Sequence, residues 1–149
     1  MPKYVVDTNL YIEAVTTDAG NTALAEFQRR FAPFLFQHST VAREILAGAR
    51  SEEDYLEYYS DWVTPFEELG RIVTPAHSTW VRAALIIARL VGRGKISRGG
   101  ISRSFLNDCI IAASLRENGL TLVTRNLDDF HLIGSVENGV RYAPPWPGA

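Results

Sequence analysis

Four short apolar runs punctuate this chain, and the stretches between them carry helical spacing. That alternation narrows the fold more than any other feature. The runs are Tyr4-Val5-Val6, Phe34-Leu35-Phe36, Arg71-Ile72-Val73 and Thr121-Leu122-Val123. Each is short enough for a buried strand and is bounded by turn or cap residues, such as Pro33, Ser39-Thr40 and Thr74-Pro75. Between them, helices are expected over 10–15, 21–31, 41–49, 52–66, 78–91, 103–118 and 127–132. Gly119 suits the C-cap of the sixth of these. Ser135-Val136 is read as a fifth strand, and the proline-rich tail 143–149 as extended. Strands that alternate with helices need crossover connections, which gives an α/β fold with a parallel sheet covered on both faces. In such a sheet, ligands bind beyond the carboxyl ends of the strands.

The bulk numbers bound the rest. A chain of 149 residues, 46% hydrophobic and 21% charged, can bury a real core and is not disordered. With no repeat or internal boundary, residues 1–149 read as a single domain. One cysteine, Cys109, permits no disulfide within the chain, which suits a reducing cytoplasm. Too few apolar residues precede Asp7 for a signal peptide, and no run is long enough to span a membrane. A net charge of -2 gives no global case for nucleic-acid binding. Its distribution says more, because residues 69–107 contain no Asp or Glu. Arg71, Arg82, Arg89, Arg93, Lys95, Arg98 and Arg103 all lie there. They read either as solvated helix and loop arginines or as a track for phosphates.

Acidic groups recur where the fold would collect them. Asp7 follows the first strand, in Val5-Val6-Asp7-Thr8-Asn9, where it also suits a helix N-cap. Glu44 sits at the margin of the buried side of the helix after the second strand. Asp108 is the sharpest signal, because its helical neighbours are Phe105, Ile111, Ala112 and Leu115. A carboxylate on that face is costly unless it is paired or binds a cation. Asn126, Asp128 and Asp129 follow the fourth strand, where cap and first-turn roles are also open to them. Carboxylates held together repel, and a divalent cation removes that penalty. Oxygen donors of this type suit Mg²⁺ or Mn²⁺. His38, His77 and His131 lack ligand spacing, which argues against zinc. No phosphate-binding glycine loop is present, and Ser104 and Cys109 have no histidine nearby to activate them.

Taken in order, these residues resemble the PIN-domain family over nearly the whole chain. The matching pieces are Val5-Val6-Asp7-Thr8-Asn9, Glu44, Asn107-Asp108 with Ile111-Ala112-Ala113, and Thr124-Arg125-Asn126 with Asp129-Phe130. Size and layout look like VapC toxins. The resemblance implies a three-layer α/β/α sandwich and a metal-dependent endoribonuclease. Cleavage would leave a 5′-phosphate and a 3′-hydroxyl. Asp7, Glu44 and Asp108 would be the acidic metal residues, with Mg²⁺ or Mn²⁺ as cofactor. Either Asn126 or Asp129 fills the fourth place. Thr8 or Thr124 would orient a ligand or water. Arg93, Lys95, Arg98 and Arg103 would hold the RNA backbone. The implied partners are an RNA substrate, a VapB-like antitoxin and a second copy of the chain. Tyr55, Tyr58, Tyr59 and Trp62 are either interface or helix core. The competing reading is a PIN-like module that binds RNA or protein without catalysis. A phosphatase of similar layout would want Asp-x-Asp where Asp7-Thr8-Asn9 stands. A receiver domain would want an acceptor Asp where Thr74-Pro75 stands.

Overall fold

A computed structural model describes residues 1–148. Five strands form one sheet in the order β3-β2-β1-β4-β5, with every neighbouring pair parallel. They are β1 (Tyr4–Val6), β2 (Leu35–His38), β3 (Ile72–Val73), β4 (Thr121–Val123) and β5 (Arg141–Ala143). From β1 the chain steps outward through α1 (Thr8–Thr16) and α2 (Asp18–Phe31) to β2. It continues through α3 (Ser39–Ala47), α4 (Glu52–Tyr58) and α5 (Thr64–Glu68) to β3. It then returns through α6 (His77–Gly92) and α7 (Arg103–Asn118) to β4 on the other side of β1. Finally α8 (Leu127–Gly134) leads to β5.

Right-handed crossovers place outward-stepping and returning helices on opposite faces. The packing agrees: α1 meets α2 and α3, whereas α7 meets α6 and α8. The result is a three-layer α/β/α sandwich. Strand order reverses between β1 and β4, which opens a crevice at their carboxyl ends. The core lies on both sides of the central strands. Val5, Leu122 and Val123 contact Leu10, Ile86, Ile111, Phe130 and Ile133, all essentially inaccessible to solvent.

Most expected elements stand where the periodicity put them, and α7 has the expected bounds. Ser102 accepts a hydrogen bond from Phe105 N–H at its start, and Gly119 takes a left-handed φ of 66° at its end. Other expectations need correction. Ser135-Val136 is not a strand, because it lies in the turn after α8 and the fifth strand is Arg141–Ala143. Phe34 belongs to a 3-10 turn, so β2 starts at Leu35. The N-cap of α3 is His38, whose Nδ1 accepts from Thr40 N–H at 3.0 Å. The helix expected over 52–66 is broken by a π-helical turn, Tyr59–Val63. Trp80 and Leu85 of α6 face solvent, while Ile86 and Leu90 are core. Within the tail, Trp146 packs on Phe27 at 5.1 Å between ring centroids; Ala149 lies outside the described residues.

One buried acid braces the far layer. Glu137, 1% exposed, accepts two hydrogen bonds of 2.5 Å from Arg82. Arg116 and Arg89 stand at 3.8 and 4.0 Å from the same carboxylate. The segment before β5 is thereby fastened to α6 and α7.

Candidate metal centre at the strand ends

Each acid is placed by the element that ends or begins beside it. Asp7 ends β1 and caps α1, accepting from Thr8 N–H at 2.8 Å. Its own N–H donates to Val123 of β4, which locks it to the neighbouring strand. Thr124, fully buried at the end of β4, donates its hydroxyl to Asp7 Oδ2 at 2.7 Å. The same oxygen atom of Thr124 accepts from Asn126 N–H at 2.9 Å. Thr8 donates to Glu44 Oε1 at 3.2 Å, which brings the second turn of α3 to the start of α1. Asp108, 6% exposed, projects from α7. The Asn126 amide donates to Asp108 Oδ2 and to Asp129 Oδ2, both at 2.9 Å.

These contacts gather Asp7, Glu44, Asp108, Asn126 and Asp129, with Thr8 and Thr124, at the carboxyl edge of the sheet. Asp128, the neighbouring acid of α8, is exposed and outside this network. The electrostatics register the crowding. Burial pushes the Asp108 carboxyl up to about 9, helped by its contact with Asp129 and by the charges of Asp7, Asp129 and Glu44. Burial also raises Asp7, against the hydrogen bonds from Thr124, Thr8 and Asn9. Glu44 is raised by burial, with Asp7 adding to it and Thr8 and Arg43 opposing it.

Such a donor set fits a hard divalent cation in its chemistry. The donors are carboxylate and amide oxygens, and their mutual repulsion is what a cation relieves. As the side chains stand, no three His, Cys, Asp or Glu groups among the described residues are spaced as a finished ion cage. The Asn126 amide hydrogens bridge Asp108 and Asp129 instead. Cys109, next to Asp108, is buried with its thiol pushed up to about 12 by desolvation, so it is no nucleophile.

The basic stretch divides. Arg82 and Arg89 serve Glu137, and Arg71 donates to Ala32 C=O. Lys95 donates to Ser135 Oγ at 2.8 Å. Arg93, Arg98 and Arg103 make no side-chain hydrogen bond or ion pair among the described residues. Arg103 opens α7, about one and a half turns ahead of Asp108.

Sequence reasoning gave no role to three residues at this edge. Asn9 donates to Asp7 Oδ2 at 3.3 Å and Thr124 Oγ1 at 3.2 Å, joining the two strand ends. Arg125, between Thr124 and Asn126, pairs with Glu13 of α1. Both Asn9 and Arg125 sit inside the motifs already noted, but Glu13 had no signal beyond its place on a helix.

Beside Glu44 a cleft of about 500 Å³ runs between α1, α3 and α4. Tyr11, Ile12, Val15, Ile45, Tyr58 and Trp62 line it, with Glu44, Arg50 and Asp54 as its charged members. Tyr58 stacks on Trp62, so those two aromatics are part core and part cleft wall.

A model of the PIN domain matches residues 4–134. Three solved structures share the fold. VapBC from Salmonella typhimurium, bound to DNA, is 20% identical with a TM-score of 0.73, covering 97% of this chain and 98% of that one. VapBC2 from Rickettsia felis, bound to a promoter DNA fragment, is 19% identical with a TM-score of 0.66, covering 96% and 98%. FitAcB from Neisseria gonorrhoeae is 18% identical with a TM-score of 0.65, covering 97% and 99%. Among curated proteins none matches the chain.

Proposed function

Because the chain belongs to the PIN domain family, we propose that it is a divalent-metal-dependent endoribonuclease, the toxin of a toxin–antitoxin pair. The observation that carries this reading is the acidic cup itself. Carboxylates from β1, α3, α7 and α8 converge where an α/β sheet binds ligands, and Asp108 is held with its carboxyl pushed to about 9. Structural cost of this kind is characteristic of functional sites.

In this reading Asp7, Glu44, Asp108 and Asp129 would hold Mg²⁺ or Mn²⁺. A bound ion of that type supplies an activated water and neutralises charge on a phosphodiester. The chain's own residues do the positioning. Thr124 and Asn9 fix the Asp7 carboxylate, and Thr8 orients Glu44. Asn126 keeps Asp108 and Asp129 together. Arg93, Arg98 and Arg103, with Lys95 beside them, would carry the RNA backbone toward the cup.

The antitoxin proposal rests on the solved complexes that share the fold and on the cleft beside Glu44. A mostly apolar trough, with Glu44, Arg50 and Asp54 as its charged members, suits an amphipathic segment. A second copy of the chain would cover the exposed face of α6. Trp80, Val81, Ala84, Leu85 and Ala88 are exposed there without a charge among them. Trp80, Val81 and Leu85 stand beside the small Ala84 and Ala88, which would let the face pack against a second copy across a two-fold axis.

The deciding test is cleavage of a mixed RNA substrate with Mn²⁺ or Mg²⁺, wild type against Asp108→Asn. Loss of cleavage in the variant is expected. Equal cleavage by both would exclude Asp108 from the activity, and no cleavage by wild type would return the chain to a non-catalytic binding role.

A further inference from the structure

The rim of the cup carries a cation whose partner is its own chain. Arg125 follows Thr124, the buried residue bonded to Asp7, and precedes Asn126, the residue bonded to Asp108 and Asp129. Its backbone N–H donates to Asn9 Oδ1 at 3.4 Å, which pins the residue to the start of α1. Its guanidinium pairs through Nε with Glu13, one α1 turn beyond Asn9. Arg125 is 55% exposed and Glu13 34% exposed. Within one residue on either side, then, the backbone is fixed by the site, while the side chain lies in water.

We propose that Arg125 is a substrate-binding residue that grips an RNA backbone phosphate at the mouth of the cup, and that Glu13 is an internal competitor holding the guanidinium until RNA displaces it. The inference rests on the ribonuclease reading above. An acidic cup repels a polyanion, so a cation at its mouth is what lets the phosphate approach. Guanidinium takes carboxylate and phosphate through the same forked geometry, so one can replace the other without rearranging the arm. A solvent-exposed ion pair is weak and exchanges readily. A buried brace would not; the Glu137 cluster is the contrast within this chain, with its carboxylate 1% exposed.

The test measures anisotropy of a fluorescein-labelled single-stranded RNA with Mg²⁺ present, on an Asp108→Asn background that prevents cleavage. Arg125→Ala should weaken binding about ten-fold and lower the salt slope by about one unit. Glu13→Gln should tighten binding about three-fold. In a double variant the Glu13 effect should vanish, because it acts through Arg125. Arg125→Lys should restore only part of the affinity. An ion pair that merely staples α1 to the β4–α8 turn predicts something else: both single variants would weaken binding and lower the melting temperature together. That pattern, or no change in either variant, overturns the inference and leaves the ribonuclease reading standing. No RNA binding by the unsubstituted chain, measured with Ca²⁺ in place of Mg²⁺ to prevent cleavage, would overturn both.

Discussion

Asn126 donates to Asp108 Oδ2 at 2.9 Å, from a turn eighteen residues further along the chain. The same amide reaches Asp129. A neutral side chain thus bonds to both members of a contacting acid pair, and it does so with hydrogens rather than with charge.

Asp108→Asn should remove at least about two orders of magnitude of RNA cleavage. It should also weaken Mn²⁺ binding, read by calorimetric titration. A folded variant that still binds Mn²⁺ like wild type would remove Asp108 from the proposed metal set.

Asp108 should cost the metal-free protein stability as pH rises from about 4 to about 9; buried His38, pushed down to about 4, opposes this below its ordinary 6.5, so the net loss is expected from about 6.5 to about 9. The ordinary Asp108 value is 3.8, and the folded protein holds the proton up to about 9. At this group the folded state therefore binds more protons than the unfolded state, and raising the pH favours unfolding. Melting scans at several pH values check this. Asp108→Asn should flatten the slope and melt at least about 3 °C higher at pH 8.

Thr124→Val keeps the shape and removes the hydroxyl. Asp7 Oδ2 would retain only the longer bond from Asn9, and Asn126 N–H would lose its acceptor. The expected cost is about 1–3 kcal/mol in denaturant unfolding, together with weaker Mn²⁺ binding.

Glu137→Ala should lower the melting temperature by about 5 °C or more, since it strands three arginines around an empty place. The Arg82 guanidinium beside it holds the Glu137 carboxyl below its ordinary value. This contribution is therefore present above pH 4.5 and fades as acid protonates the group. A wild-type to variant difference that stays constant down to pH 3 would contradict it.

Val81→Glu places a charge in the centre of the exposed α6 face. Sedimentation analysis should show a dimer for wild type and a monomer for the variant, with an unchanged circular dichroism spectrum. A monomeric wild type would dismiss the two-fold arrangement.

The sequence is legible where local chemistry and tertiary placement agree. The bounds of α7 follow from a serine cap, an apolar stretch and a glycine in the left-handed region. β4 is a short β-prone run ending in two buried aliphatic residues, Leu122 and Val123. The fifth strand was misplaced because Arg141–Ala143 is an edge strand with no buried run, whereas Val136 is buried without being in a strand. The π-helical turn adds a residue within a continuous helical pattern, which periodicity does not register. The acids were visible because a carboxylate on an apolar helix face has few explanations. The fate of the basic stretch was not visible. Among the described residues its acidic partner, Glu137, lies some fifty residues away in sequence and adjacent in space.

Asp7 and Thr124 touch, yet 117 positions separate them. Glu44 joins the first acid early, but the chain must run on through β4 before the set is complete. A chain still emerging from the ribosome, or one clipped ahead of β4, carries every residue up to Asp108 and still lacks the floor on which they assemble. Whatever chemistry the cup performs is thereby withheld until β4 has been made, a delay written into strand order rather than into any added regulator.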